Sequence, residues 1–342
     1  MICDGPTASS TASCRFQSGT TSPFQGTGIS ALSRPMRRDS PPLSNAAAKG
    51  ILKTVASSTL TNHNSNTSLL QCPYTPMENR IDQTFSELRN QGRAGFMAYI
   101  TGGDPDLRQT VDIALALADA GVDFLEIGVP FSDPLADGVA NQLGAQRALA
   151  AGTTLSKLLK SVSLIRSRSR MPIILYSYLN PIFQYGFSRF EQDAHESGVD
   201  GLLLLDLPPD ETLIVDEHRT VHRIRLVAPT TAESRIKQIV SLASGFVYYV
   251  SREGVTGERR DLADSIAGQV AKIRQYTDLP VAVGFGISTP DQARQVAGWA
   301  DAVVVGSAIV RKVGELARTE ALARRIGDFV RPLVDAAKLV KR

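Results

Sequence analysis

Apolar residues recur along the chain in short blocks with two different spacings. Eight blocks of three to six residues are almost continuously apolar, as expected of strands buried on both faces. They span residues 95–100, 124–128, 173–178, 202–205, 226–228, 246–250, 281–284 and 302–305. Between them lie segments with the three-to-four-residue spacing of amphipathic helices, most clearly 107–120, 155–167, 187–197, 236–243 and 266–276. Ile81, Phe85 and Leu88 predict one more helix before the first strand.

The order of these elements predicts a closed (β/α)8 barrel, the TIM-barrel fold. Apolar strands separated by helices are typical of a parallel sheet whose helices cover its outer face. A doubly wound sheet would carry Gly-x-Gly-x-x-Gly at its first strand–helix turn, and that motif is missing there. We therefore predict a single α/β barrel domain over residues 77–342.

Residues 1–76 have a different composition from the rest of the chain. They contain 23 Ser or Thr, six Lys or Arg and two Asp, without sustained periodicity, which predicts a disordered N-terminal tail. The segment is either a transit peptide, which would place the protein in the plastid stroma, or an over-called start before Met77 in a cytoplasmic protein. A helix pattern directly after Met77 favours the second explanation.

Charge and cysteine content narrow the function of residues 77–342. Their 31 Lys or Arg against 32 Asp or Glu leave a net charge of −1, which gives no sign of a nucleic-acid surface. No apolar run approaches the roughly 18 residues that a membrane span needs. Cys3, Cys14 and Cys72 all precede Met77, so disulfides, a thiolate nucleophile and a cysteine zinc site are excluded from the barrel.

Three acidic residues are candidates for catalysis because TIM-barrel sites form at the carboxyl ends of the strands. Glu126 interrupts an apolar strand, so it is either a carboxyl group whose pKa burial raises for proton transfer, or half of a buried ion pair. In the following loop, Asp133 and Asp137 are either site residues or ordinary turn and cap residues. Without a His or Cys cluster nearby, no metal is expected.

Glycine-rich turns suggest where an anion binds. Gly284 and Gly286 follow the seventh strand, while Gly306 and Ser307 follow the eighth, where TIM barrels commonly bind phosphate through backbone N–H groups and a helix N-terminus. The polar stretch 251–260 after the sixth strand is either a mobile lid or a solvated connection.

Three motifs resemble the tryptophan synthase α-subunit family over about residues 79–340: LEIGVPFSDPLADG at 125–138, GVTG at 254–257 and GFGIS at 284–288. The resemblance implies a lyase of tryptophan biosynthesis that cleaves indole-3-glycerol phosphate to indole and glyceraldehyde 3-phosphate. It also implies a β-subunit partner, in an α2β2 heterotetramer, that receives the indole. Such a retro-aldol cleavage requires no metal and no organic cofactor.

The same resemblance implies roles for individual residues. Glu126 would protonate indole C3 as general acid–base, Asp137 would receive the indole N–H, and Tyr248 would be an active-site tyrosine. Substrate contacts would come from Tyr99, Tyr178, Leu205, Val227, Thr256, Gly257, Gly286, Gly306 and Ser307, with the phosphate on Gly257, Gly286, Gly306 and Ser307. The family usually has Pro after the Asp-Gly of the second loop, where this chain has Val139, so we expect a more mobile loop.

Two other functions fit parts of this pattern. A phosphate-binding isomerase or cyclising synthase of aromatic amino-acid synthesis would need Lys or a paired acid and base at other strand ends, and no Lys lies in the predicted strands. A non-catalytic subunit that only activates a β subunit would not need both Glu126 and Asp137. The sequence leaves open whether the chain works in a complex or as a free indole-producing lyase.

Overall fold

Eight parallel strands close into a barrel in which each strand is hydrogen-bonded to the next and the last to the first. The structure is a computed structural model that describes residues 79–209, 211, 221–251, 259–284 and 286–342, with side chains in 259–265 left out. The strands are β1 (Gly95–Thr101), β2 (Phe124–Gly128), β3 (Ile173–Ser177), β4 (Gly201–Leu204), β5 (His222–Val227), β6 (Val247–Val250), β7 (Val281–Gly284) and β8 (Ala302–Val305). The predicted TIM-barrel fold is confirmed.

Helices surround the barrel and close its amino end. The described helices are α1 (Arg80–Asn90), α2 (Leu107–Asp119), α3 (Val139–Ala150), α4 (Leu155–Arg166), α5 (Leu179–Tyr185), α6 (Phe187–Ser197), α7 (Glu233–Ser241), α8 (Arg259–Arg274), α9 (Pro290–Ala297), α10 (Ser307–Leu316) and α11 (Leu322–Lys338). In α1, the Phe85 ring packs against Phe124 and Phe246 at centroid distances of 4.5 and 5.7 Å. Because α1 fills the amino end of the barrel, a substrate-binding site can open only at the carboxyl ends of the strands.

Alternate residues of each strand face opposite sides of the barrel wall. Inward-facing residues such as Met97, Phe124, Ile174 and Leu203 form one apolar cluster with α1. Outward-facing residues form a second and larger cluster against the surrounding helices. The inward set continues toward the carboxyl ends of the strands, so its last members line the mouth of the barrel.

Three aspartates that directly precede strands tie neighbouring strands together. Asp123, Asp200 and Asp301 each accept a backbone N–H from the preceding strand, at 2.8 or 2.9 Å. Arginines bind the same carboxylates, including Arg166 on Asp200 at 2.7 Å. Each buried or half-buried carboxylate therefore has charged and backbone partners, which fixes the strand order at the amino end of the barrel.

The fifth strand begins four residues earlier than predicted. It runs from His222 because its polar side chains are satisfied by neighbouring helices. His222 Nε2 lies 2.7 Å from Asp82 of α1, and the buried Arg223 pairs with Glu191 of α6. Polar contacts with other helices replace apolar contacts along this strand, so hydrophobicity alone does not reveal its start.

Two predictions concern segments outside the described residues: the disordered tail at 1–76, and most of the proposed lid at 251–260. Within the described part of the chain, no helix is long and apolar enough to cross a membrane.

Candidate active site

A cavity of about 330 Å³ opens at the carboxyl ends of the strands. It contains two carboxylates, several tyrosines and the glycine turns that follow β7 and β8. Its lining consists of Tyr99, Glu126, Ala136, Asp137, Gly138, Asn141, Tyr176, Leu205, Leu226, Ala228, Pro229, Thr230, Tyr248, Val250, Gly286, Val304, Gly306 and Ser307.

Glu126 lies in the middle of β2 and points inward. The residue is 1% exposed, and its Oε1 has no hydrogen-bond partner among the described residues. No cation within the described ranges forms an ion pair with it, so the buried-ion-pair alternative has no support there. Burial, assisted by the negative charge of Asp137, raises the pKa of Glu126 to about 8. The side chain is therefore mainly a neutral acid at pH 7, with a proton to donate.

Asp137 lies in the loop between β2 and α3, and hydrogen bonds hold both of its carboxylate oxygens. The Tyr178 hydroxyl donates to Oδ2 at 3.0 Å. The Tyr176 hydroxyl donates to Oδ1 at 3.2 Å, and the Asn141 side-chain amide donates to the same oxygen at 3.3 Å. Burial raises the pKa of Asp137, while these three hydrogen bonds act in the opposite direction. The carboxylate has a fixed orientation in the cavity wall.

Tyr99, Tyr176 and Tyr248 place three phenol groups in the same cavity as Glu126. Burial is the main cause that raises the pKa of each well above 10, so all three are neutral hydroxyls. Two glycines make room for them. A side chain at Gly128 would collide with the Tyr99 hydroxyl, and one at Gly284 would collide with the Tyr248 hydroxyl.

The glycine turns after β7 and β8 form another part of the cavity wall. Gly286 has a φ of +74°, a left-handed conformation that favours glycine. A side chain at Gly306 would place its Cβ 3.2 Å from the Tyr99 Cβ. Helix α10 starts at Ser307 without a side-chain cap, so its first N–H groups are available to an anion.

The structure brings most of the predicted site residues together. Eight of them line the cavity: Tyr99, Glu126, Asp137, Leu205, Tyr248, Gly286, Gly306 and Ser307. Tyr178 is not among the lining residues, but its hydroxyl donates a hydrogen bond to Asp137. Thr256 and Gly257 lie outside the described residues. No group of three or more His, Cys, Asp or Glu within the described ranges is placed to hold a metal ion.

Val227 does not reach the cavity. It is completely buried in the outer cluster between the sheet and the helices, while its neighbours Leu226 and Ala228 line the cavity. The sequence analysis also missed Tyr176, which faces inward on β3. Counting alternate residues along each strand would have shown that Val227 faces outward and Tyr176 inward. Tyr176, for example, lies two residues after the inward-facing Ile174.

Comparisons with known proteins agree with this geometry. A family model described as "Tryptophan synthase alpha chain" matches residues 85–338. A tryptophan synthase alpha chain from Geotalea uraniireducens is 48% identical over 264 residues, covering 76% of this chain and 98% of the relative. The corresponding protein of Geobacter sulfurreducens is 49% identical over 261 residues, covering 75% and 98%. These relatives are bacterial, and none of them supports the transit-peptide alternative.

Solved structures give the same result. The chain superimposes on tryptophan synthase subunit alpha from Legionella pneumophila with a TM-score of 0.71 and 36% identity, covering 77% of this chain and 99% of that one. A chain of Mycobacterium tuberculosis tryptophan synthase gives a TM-score of 0.68 and 34% identity, with coverages of 77% and 99%. The family model matches most of the chain, and the relatives and solved structures match over nearly their whole length. The chain therefore belongs to the tryptophan synthase alpha chain family.

Proposed function

We propose that this chain is a lyase that cleaves indole-3-glycerol phosphate to indole and glyceraldehyde 3-phosphate, with Glu126 and Asp137 as its catalytic residues. One observation carries the proposal. Glu126, a buried acid that has no counter-ion among the described residues, shares its cavity with a carboxylate, Asp137, that three hydrogen bonds hold in place. A substrate that needs one proton delivered and one positive charge stabilised fits this pair.

The first step is protonation of the indole ring. Glu126 is protonated at neutral pH and transfers its proton to C3 of the indole, which turns the ring into an electron acceptor. Positive charge then develops at the ring nitrogen. Asp137 accepts the N–H there and stabilises that charge, since a preorganised carboxylate in a cavity does not have to reorient during the reaction.

The second step breaks the carbon–carbon bond. Glu126, now ionised, takes the proton of the glycerol hydroxyl next to C3. The bond between that carbon and C3 breaks, and its electron pair restores the aromatic ring while the carbon becomes an aldehyde. Glu126 ends the cycle protonated, so no external acid or base is consumed. The neutral hydroxyl of Tyr248 lies in the same cavity, where it can contact the substrate.

Phosphate binding is assigned to the turns after β7 and β8. Gly286, Gly306 and Ser307 line one side of the cavity, and the N-terminus of α10 adds a partial positive charge. By family resemblance Gly257 would complete this phosphate site, and Thr256 would contact the substrate. Tyr99 and Leu205 would contact the indole and glycerol parts of the substrate.

As a tryptophan synthase alpha chain, the protein belongs to a family that partners with a β subunit. We propose an α2β2 heterotetramer in which the indole passes to the β subunit for L-tryptophan synthesis. Apolar side chains at the mouth of the barrel support this partner, since Leu135 is 94% exposed and Val139 is 71% exposed on either side of Asp137. We also propose a cytoplasmic location, which suits a barrel without cysteine.

Release of indole from indole-3-glycerol phosphate tests the proposal. Two preparations are assayed: the chain alone, and the chain with an added β subunit that lacks its second substrate. In each preparation, one glyceraldehyde 3-phosphate should form for every indole. Glycerol phosphate should compete with the substrate through the phosphate site. If neither preparation forms indole, the proposed function is wrong.

A further inference from the structure

We infer that Tyr176 is a positioning residue for Asp137: its hydroxyl fixes one carboxylate oxygen and leaves a single acceptor position for the N–H of the substrate. The inference rests on the proposed function and assigns a role to a residue that the sequence analysis did not select.

Tyr176 is itself held in place by its surroundings. It is the fourth residue of β3 and pairs in register with Gly128 of β2. Its ring meets the Tyr99 ring edge-on, with centroids 5.1 Å apart and planes at 74°. From this position the hydroxyl donates to Asp137 Oδ1 at 3.2 Å. A strand residue in a packed aromatic pair is a rigid support for a loop carboxylate.

The hydrogen bonds of Asp137 leave one acceptor position. An ionised carboxylate has about four lone-pair positions, two on each oxygen. Tyr176 and Asn141 donate to Oδ1, and Tyr178 donates to Oδ2. Counting the donors in the described part of the chain, one position therefore remains, on Oδ2, and an indole has one N–H to donate. Without the Tyr176 hydroxyl, the one described donor left to Oδ1 would be Asn141 at 3.3 Å.

Tyr176 and Tyr178 act on different parts of the loop. The Tyr178 hydroxyl donates to Asp137 and also accepts the backbone N–H of Ala136 at 2.9 Å, so it holds the loop backbone. Among the described residues, the Tyr176 hydroxyl has one hydrogen-bond partner, the Asp137 carboxylate. Removing the Tyr176 hydroxyl should therefore disturb the carboxylate and spare the loop.

The substitution Tyr176→Phe tests this role because it removes the hydroxyl and keeps the ring. We expect kcat to fall by about tenfold, the usual scale for a lost hydrogen bond to a charged group, with a smaller change in KM. The acidic limb of the pH profile of kcat/KM should move to higher pH, because the lost donor stabilised ionised Asp137. Tyr276→Phe is the matched control, since its exposed hydroxyl binds Glu233 away from the cavity, and both quantities should stay at wild-type values.

A second measurement needs no turnover. The carboxyl carbon of Asp137, identified by its loss in Asp137→Asn, can be titrated by ¹³C NMR in wild type and in Tyr176→Phe. We expect a higher midpoint in Tyr176→Phe. Two results would overturn the role of Tyr176. One is an equal midpoint in the two proteins. The other is an active wild type whose kcat and acidic limb are the same as those of Tyr176→Phe. A wild type that fails to form indole would overturn the proposed function instead, and the titration would still decide the inference.

Discussion

At the scale of single residues, burial determines the chemistry of Glu126. An exposed glutamate is ionised at pH 7 and has no proton to give. Inside the barrel the charged form loses its hydration, no described cation replaces it, and the pKa rises to about 8. The same surroundings keep three phenols neutral. The cavity therefore offers a proton donor next to an aspartate that hydrogen bonds help to keep ionised.

This environment predicts the basic limb of the pH profile. A group that must be protonated to act as an acid loses activity as the pH rises through its pKa. We therefore expect kcat/KM for indole formation to fall above about pH 8, in line with the pKa of Glu126. Steady-state assays between pH 6 and 10 in buffers of constant ionic strength would measure it. A profile that stays flat to pH 10 would show that Glu126 does not act as the acid.

At the scale of elements, α3 positions the loop that carries Asp137. An ion pair anchors this helix to the loop after β1. Arg147 of α3 binds both oxygens of Asp104, through Nε at 2.8 Å and Nη2 at 2.7 Å. Asp104 is buried, and Gly314 of α10 leaves room for the guanidinium, which would lie 3.0 Å from a Cβ there. The pair fixes α3, and with it the end of the Asp137 loop.

Loss of this pair should lower the stability of the protein. Arg147→Ala leaves the Asp104 carboxylate buried without its cation, so we expect the free energy of unfolding to fall by about 3 kcal/mol. The matched control is Arg108→Ala, which breaks an exposed pair with Asp112 within one helix and should cost less than about 1 kcal/mol. Urea denaturation of the three proteins measures both values. Equal losses for the two variants would contradict an anchoring role for Arg147.

The bounds of the strands also show where the apolar pattern of the sequence predicts an element correctly and where it does not. The strands β2, β7 and β8 match their predicted bounds, since their apolar runs end at glycine or at polar residues. The start of β5 was missed because Arg223 is buried by pairing with Glu191, a partner that lies on another helix. Ion pairs between distant segments leave no periodic signal in the sequence.

At the scale of the whole molecule, motifs locate the site but do not define its walls. Glu126 and Asp137 could be chosen from one motif of 14 residues, and the phosphate turns could be chosen from the fold. The hydrogen bonds from Tyr176 and Asn141 to Asp137 depend on which strand and helix lie next to that loop. Only the closed barrel brings those segments together.

The proposed β subunit leads to a prediction about Val139. This residue is the first of α3 and is 71% exposed, and the preceding Gly138 has an extended backbone conformation. Proline is favoured at the first helical position and restricts the undocked loop. We expect a β subunit to raise kcat of the wild type, and Val139→Pro to narrow that difference by raising kcat of the isolated chain. Equal turnover with and without a β subunit that demonstrably binds would contradict this coupling.

The central claim is that Glu126 moves the proton that breaks the substrate, and Glu126→Gln tests it most directly. The amide keeps the volume of the side chain but cannot transfer a proton. We expect indole formation to fall at least a thousandfold, on the order of 4 kcal/mol in activation free energy. Calorimetric affinity for glycerol phosphate and the circular dichroism spectrum should remain those of the wild type. Indole formation within about tenfold of wild type by a folded Glu126→Gln protein would contradict the account.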